Sequence, residues 1–162
     1  MNREILLIAE QIREAYSGDP WFGKSTRALL GELDEKIVNQ KPAGQHSILE
    51  LLWHMITWKE FVLSRLRPDN EKDLAYFETN DWRELDHNDP ALWQRGLDQF
   101  DQLHQELTEA IAQQKDEILA QIVPGRNYDY RKLLYGAVQH DIYHLGQIAY
   151  AKKLLEGGLG MR

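Results

Sequence analysis

137-AVQHDIYHLGQIAYA-151 carries its apolar residues at steps of three and four, the spacing of one helix face. Extended both ways, the stripe reads Leu133, Ala137, His140, His144, Ile148, Ala151 and Leu155. Apart from the two histidines it is apolar, so it is expected to face a core. His140 and His144 are four positions apart, which separates their side chains by about 40° around the axis and one turn along it. Two imidazoles so placed reach a common point. This helix begins near Asp129 and ends at Gly157-Gly158, glycines suited to a left-handed C-terminal cap.

Working back along the chain, 50-ELLWHMITWKEF-61 has the stripe Leu51, His54, Trp58, Phe61, which sets His54 among apolar neighbours in the same way. This helix begins at Ser47, where Ser47-Ile48-Leu49-Glu50 has the form of a capping box, and runs to about Leu66, before Arg67-Pro68. A further helix covers about residues 2–16, with Ile5, Ile8, Ala9, Ile12 and Tyr16 on one face, and stops at the turn signature Gly18-Asp19-Pro20. Another starts at Asp89-Pro90, an N-cap aspartate with proline at the first helical position, and reaches about Gln114 through Trp93, Leu97, Phe100, Leu107 and Ile111. Strand signals are weak throughout. The patterns predict an all-α protein, four long helices around one core, in one domain over residues 1–162.

Connection lengths bear on topology. About 22 residues separate the second and third long helices, well beyond the two to eight usual between antiparallel neighbours. At roughly 3.3 Å per residue that segment can cross the molecule and start the next helix in the same direction. A four-helix bundle with a long crossover is therefore expected. The link before Ser47 is also long, and a short helix is expected in it over residues 26–37.

Composition narrows the function. Hydrophobic residues make up 43% and charged residues 28%, the balance of a globular protein. No run approaches the roughly 18 apolar residues of a membrane-spanning helix, so no membrane is expected as a partner. The opening stretch reads as an amphipathic helix rather than a signal peptide, and a cytoplasmic location is expected. The net charge is −7, with 19 basic residues scattered among 26 acidic ones. Phosphate binding draws on clustered Lys and Arg, so nucleic acid is not expected as a partner. There are no cysteines. Disulfides, thiolate ligands and a cysteine nucleophile are excluded, and any sulfur chemistry must use a thiol that the substrate brings.

Burying three unpaired imidazoles is costly, since each wants a donor or acceptor. A shared cation satisfies one nitrogen on each of His54, His140 and His144. Three nitrogens and an open fourth position are the ligand set of a catalytic zinc site. One divalent metal ion is expected, zinc or nickel before iron or manganese. A histidine pair at this spacing is common by chance, and a lone core-facing histidine is ordinarily a hydrogen-bonded packing residue. The constellation on two apolar faces is what points to a metal. Gln147 shares the histidine face and either anchors a ligand histidine, contacts a bound molecule or is an ordinary interface amide. Asp141 and Glu50 are candidates to orient an imidazole through its other N–H, and otherwise are solvated. His104, between Phe100 and Leu107, is a candidate fourth ligand. His46 and His87 lie in polar, loop-like surroundings, and the five tryptophans read as packing residues.

These residues carry a family resemblance. Gly44-x-His46-Ser47-Ile48 leading to Leu51-Leu52-Trp53-His54, followed by His140-x-x-x-His144-x-Gly146-Gln147-Ile148, resembles the DinB/YfiT-like superfamily, a group regarded as metalloenzymes. The resemblance covers nearly the whole chain. It implies an up-down-down-up bundle, commonly a homodimer, with a metal on one histidine of the second long helix and two of the fourth, which fall here on His54, His140 and His144. Better understood members are similar to transferases of low-molecular-weight thiols such as bacillithiol, and others resemble mycothiol-dependent isomerases. Transfer of a small-molecule thiol to a small electrophile is thus the leading expectation. Metal-assisted hydrolysis uses the same ligand set, and a non-catalytic metal-containing stress-response or binding module, its coordination closed by a residue such as His104, is the third reading. Leu52, Ile56 and Leu63 are expected to face outward as a dimer surface.

Overall fold

The computed structural model describes residues 2–67 and 72–158 of the chain. Among the described residues there are seven α-helices and no strand: α1 Arg3–Ser17, α2 Thr26–Gly31, α3 Glu35–Val38, α4 Ile48–Leu66, α5 Leu74–Thr79, α6 Leu92–Ala112 and α7 Tyr130–Gly158. A 3-10 turn covers Asp116–Ala120, and Ile122 and Asp129 form an isolated antiparallel bridge before α7. No described helix is long and apolar enough to cross a membrane.

The four long helices lie where the periodicity puts them. Two short helices, not one, occupy the link before α4, and the connection from α4 to α6 carries α5. The expected start of α6 moves by two residues. The Asp89 carboxylate accepts the Ala91 N–H at 2.9 Å, forming a turn with its own near backbone, so the helix begins at Leu92 without a side-chain cap. Helix α7 is still helical at Gly157 and Gly158, and any cap following them lies outside the described residues.

Helix α4 is the centre of the molecule. It packs on both α6 and α7, with α3 and α5 also against it. Ser47 Oγ accepts the Glu50 N–H at 3.1 Å and Glu50 Oε2 accepts the Ser47 N–H at 2.8 Å, closing the expected capping box. Because neighbours surround it, α4 has no exposed residue, and its buried apolar side chains lie on more than one face. Leu52 and Ile56 are 0% exposed and Leu63 4%. The expectation that they form an outward dimer surface is therefore wrong: the second apolar side of α4 meets helices of its own chain.

Helices α1 and α6 pack together and α1 also meets α7, so one contiguous core runs through Ile8, Leu52, Phe61, Phe100, Leu107 and Ile148. The free amides of the first turn of α1 are capped from far away in the chain. Asp116 accepts N–H groups of Arg3 (2.9 Å), Glu4 (3.3 Å) and Ile5 (2.9 Å), satisfying donors that a helix start leaves without partners.

Candidate metal centre

Helix α4 supplies His54 and α7 supplies His140 and His144, and along these two helices residue numbers run oppositely. Arg65 meets Tyr130, Lys59 meets Asp141 and His54 meets His144. The histidines thus meet near the start of α4 and the middle of α7. Their Nε2 atoms are 3.1 Å (His54–His140), 3.0 Å (His54–His144) and 3.1 Å (His140–His144) apart. Among the described residues these three form the one group of histidines and carboxylates whose ligand atoms lie close enough together to hold a metal ion.

The outer nitrogens decide what the inner ones offer. His54 Nδ1 lies 3.1 Å from the Asp81 carbonyl and 3.0 Å from its Oδ1, both acceptors, so the proton is assigned to Nδ1. His144 Nδ1 lies 2.6 Å from Gln147 Oε1, and the same assignment follows. Two lone pairs then face one another on the inner nitrogens, an arrangement a cation relieves and a hydrogen bond between them cannot. The centre of a triangle with these edges lies about 1.8 Å from each nitrogen, against a Zn–N bond of about 2.0–2.1 Å. His54, His140 and His144 would hold an ion through these three nitrogens. The donor set and its spacing fit a divalent cation.

Burial lowers the pKa of all three imidazoles below the ordinary histidine value. For His140 the lowering reaches about 3, with the neighbouring His144 and His54 adding to desolvation. Asp81 works against burial at His54, and Gln147 does so at His144. All three are therefore neutral at pH 7, the form that donates a lone pair.

Several expected residues land elsewhere. Asp141 does not orient an imidazole; it pairs with Lys59 at 2.6 Å. Glu50 closes the helix cap and pairs with Lys41 at 2.7 Å. His104 is buried but stacks on Tyr16, ring centroids 3.7 Å apart, and is not in the three-histidine group. His87 faces Asn39 at the surface, away from the cluster. Gln147 is on the cluster through His144.

Other residues at the site carry no helical signal in the sequence. After α5, the segment 80–83 lies across one turn of α4: Thr57 donates to the Asn80 carbonyl at 3.1 Å, Trp58 Nε1 donates to Asp81 Oδ1 at 2.6 Å, and Asp81 holds His54. Trp82 stacks between His46 (3.6 Å) and His54 (4.2 Å). His46 is thus part of the site's wall. Trp21 is the clearest exception to the packing expectation for tryptophans, being wholly exposed in the turn after Pro20.

The cluster separates two cavities. One is a groove of about 570 Å³ lined by His54, His144, His46, Trp82, Tyr143 and Gln147. The other, about 250 Å³, reaches His140 from between α4, α6 and α7.

Two expectations follow. Asp81→Ala removes the carboxylate from His54 while leaving the backbone carbonyl, so divalent-ion affinity should fall by about tenfold, the low end of the effect of such outer partners. Competition with a chelating dye measures it, and an unchanged affinity would show that the carboxylate does not orient the ring. The second concerns pH. Burial lowers the His104 pKa to about 4, and its Nδ1 has no partner. Between about pH 6.5 and pH 4 the unfolded chain therefore binds the proton that the folded chain refuses, and stability falls as pH falls. The loss at His104 should reach about 3 kcal/mol at pH 4. Urea unfolding of metal-free wild type and His104→Phe across that range should show a shallower slope in the variant.

No curated protein and no solved structure matches the chain. A family model described as the DinB superfamily matches residues 22–148, a span that takes in all three histidines. With most of its length matched, and with an all-helical fold that gathers three imidazoles at one point, the chain belongs to the DinB superfamily.

Proposed function

We propose that this is a metal-dependent enzyme that transfers a low-molecular-weight thiol to a small electrophile. Its scaffold would be an up-down-down-up four-helix bundle in one domain. Gly96 beside Leu52 and Trp53, Gln99 bonded to Glu60 and Arg67 paired with Glu106 support parallel α4 and α6. Tyr16 bonded to Asp101 and Asp116 at the start of α1 support antiparallel α1 and α6.

The carrying observation is the meeting of three neutral imidazole nitrogens between two cavities, so that two reactants can approach one ion from different sides. His54, His140 and His144 would hold the ion, zinc or nickel before iron or manganese. When bound, the cation lowers the pKa of a thiol cosubstrate and makes it a nucleophile near neutral pH. Asp81 and Gln147 keep the outer protons of His54 and His144 in place, so that the inner nitrogens stay donors. Tyr143 and the side of His46 turned away from Trp82 line the groove and offer aromatic surface for the cosubstrate. The sulfur would form a bond to carbon as a halide leaves with its electron pair, or as an epoxide oxygen opens and takes up a proton. With no cysteine in the chain, the sulfur comes from the cosubstrate, as suits an enzyme of the reducing cytoplasm.

Hydrolysis is less well supported. Asp81 is committed to His54 and Trp58, and Asp141 to Lys59, so neither stands free as a general base for water. The test is to load the protein with zinc or nickel and supply bacillithiol, glutathione or coenzyme A together with monochlorobimane. A metal-dependent rate with one thiol is expected, and no such rate with any of the three overturns the reading. A homodimer is also proposed, with Leu6 and Leu7 of α1 and Tyr150 and Leu154 of α7 as the exposed apolar candidates for its surface. Sedimentation at micromolar concentration tests it.

A further inference from the structure

The cavity between α4, α6 and α7 differs in chemistry from the groove at His54 and His144. Its walls are apolar, built from Phe61, Val62, Leu107, Leu133 and Ala137. At one end it touches His140 and the Lys59–Asp141 pair; at the other it is lined by Arg126, Tyr128 and Lys132. Along α7, Lys132 and His140 are eight residues apart, or about 12 Å at the helical rise.

The far end is positively charged. Among the described residues neither Arg126 nor Lys132 has a carboxylate within ion-pair distance. Arg126 Nε donates to Tyr128 Oη at 2.8 Å, which fixes the guanidinium and leaves its terminal N–H groups available. Its carbon also lies 5.5 Å from the Phe61 ring centroid, beside the apolar wall. In a chain where acidic residues outnumber basic ones, two cations without acidic partners at the rim of an apolar cavity are a recognition feature for an anion.

From this arrangement we infer that the cavity binds a small molecule with an apolar body and a carboxylate, its carboxylate on Arg126 and Lys132 and its other end at His140. That this molecule is the electrophile rests on the thiol-transfer reading; that the cavity binds it does not. The cavity is smaller than the about 300–1,000 Å³ of sites for drug-sized ligands, so the body is a short aliphatic chain or a single ring. Gly136 lines the cavity, and a Cβ added there would meet nothing within 4 Å. A side chain at that position therefore starts in open space beside the cavity, and a large one is expected to fill it.

The probe pair is octanoate and 1-octanol, titrated calorimetrically into zinc-loaded protein. Octanoate should bind about tenfold or more tighter, the worth of one charged hydrogen bond. In Arg126→Gln/Lys132→Gln that preference should vanish with zinc content unchanged, which also separates a carboxylate on the two cations from one on the ion. In Gly136→Leu both ligands should be lost, with helicity checked by circular dichroism. Equal affinity for the two probes, or a preference that survives the charge variant, overturns the inference. So does undiminished binding in folded Gly136→Leu. If octanoate binding follows the two cations but no thiol is transferred to any electrophile, the thiol-transfer reading fails and the binding site stands.

Discussion

His54→Ala, His140→Ala and His144→Ala should each lose the bound divalent ion on dialysis, while the wild type keeps about one per chain. The three Nε2 atoms stand 3.0–3.1 Å from one another, so removing one leaves two nitrogens and an incomplete set. Loss of an outer partner of a metal ligand already costs about 10–100-fold in affinity, and loss of a ligand itself should exceed that. Elemental analysis of dialysed protein reads stoichiometry, and a chelator competition reads affinity. The apo folds should stay intact, because alanine also removes a desolvated imidazole whose neutrality the fold has to enforce. If all three variants retain the ion at wild-type stoichiometry, the cluster is not its site.

The largest stability effect is expected at the Lys59–Asp141 pair, which joins α4 to α7. The two side chains are 2.6 Å apart and only 3% and 14% exposed, and Lys59 Nζ lies 4.9 Å from the Phe100 ring centroid. Taking away one member leaves a charge in an apolar setting. Lys59→Met or Asp141→Asn should therefore cost about 3–5 kcal/mol, the usual result of breaking such a pair from one side. At about 2–4 °C per kcal/mol for a chain of this size, Tm should drop by roughly 6–20 °C. Lys59→Met/Asp141→Leu removes both charges and should recover most of the loss, so the double variant will be more stable than either single one. A cost under about 1 kcal/mol in both single variants would place the pair with ordinary solvated ones.

Much of the fold could be read without coordinates. The apolar steps in α1, α4, α6 and α7 locate the four long helices, because a helix against a core must present one apolar face with a period near 3.6 residues. Ser47 and Glu50 announce the start of α4, since the capping box is a contact between residues three apart. The same locality misleads at Asp89, where the carboxylate bonds two residues on and delays the helix. Periodicity also fails on α4. With core on more than one side its apolar residues name no single direction, and Leu52, Ile56 and Leu63 look like surface until their neighbours are known.

For the site, the chain by itself determined that two helices each carry histidine on an apolar face, because spacing along a helix is spacing around it. It could not say that these faces meet at one point, nor which atoms hold the rings. His54 and Asp81 are 27 residues apart, Lys59 and Asp141 are 82 apart, and Asp116 caps a helix more than 110 residues earlier. Such partners are chosen by how the helices pack and where the loop after α5 is laid down, and neither leaves a period in the sequence. Only tertiary structure brings Asp81, Trp82 and His46 to the imidazoles and opens a charged, apolar cavity behind them.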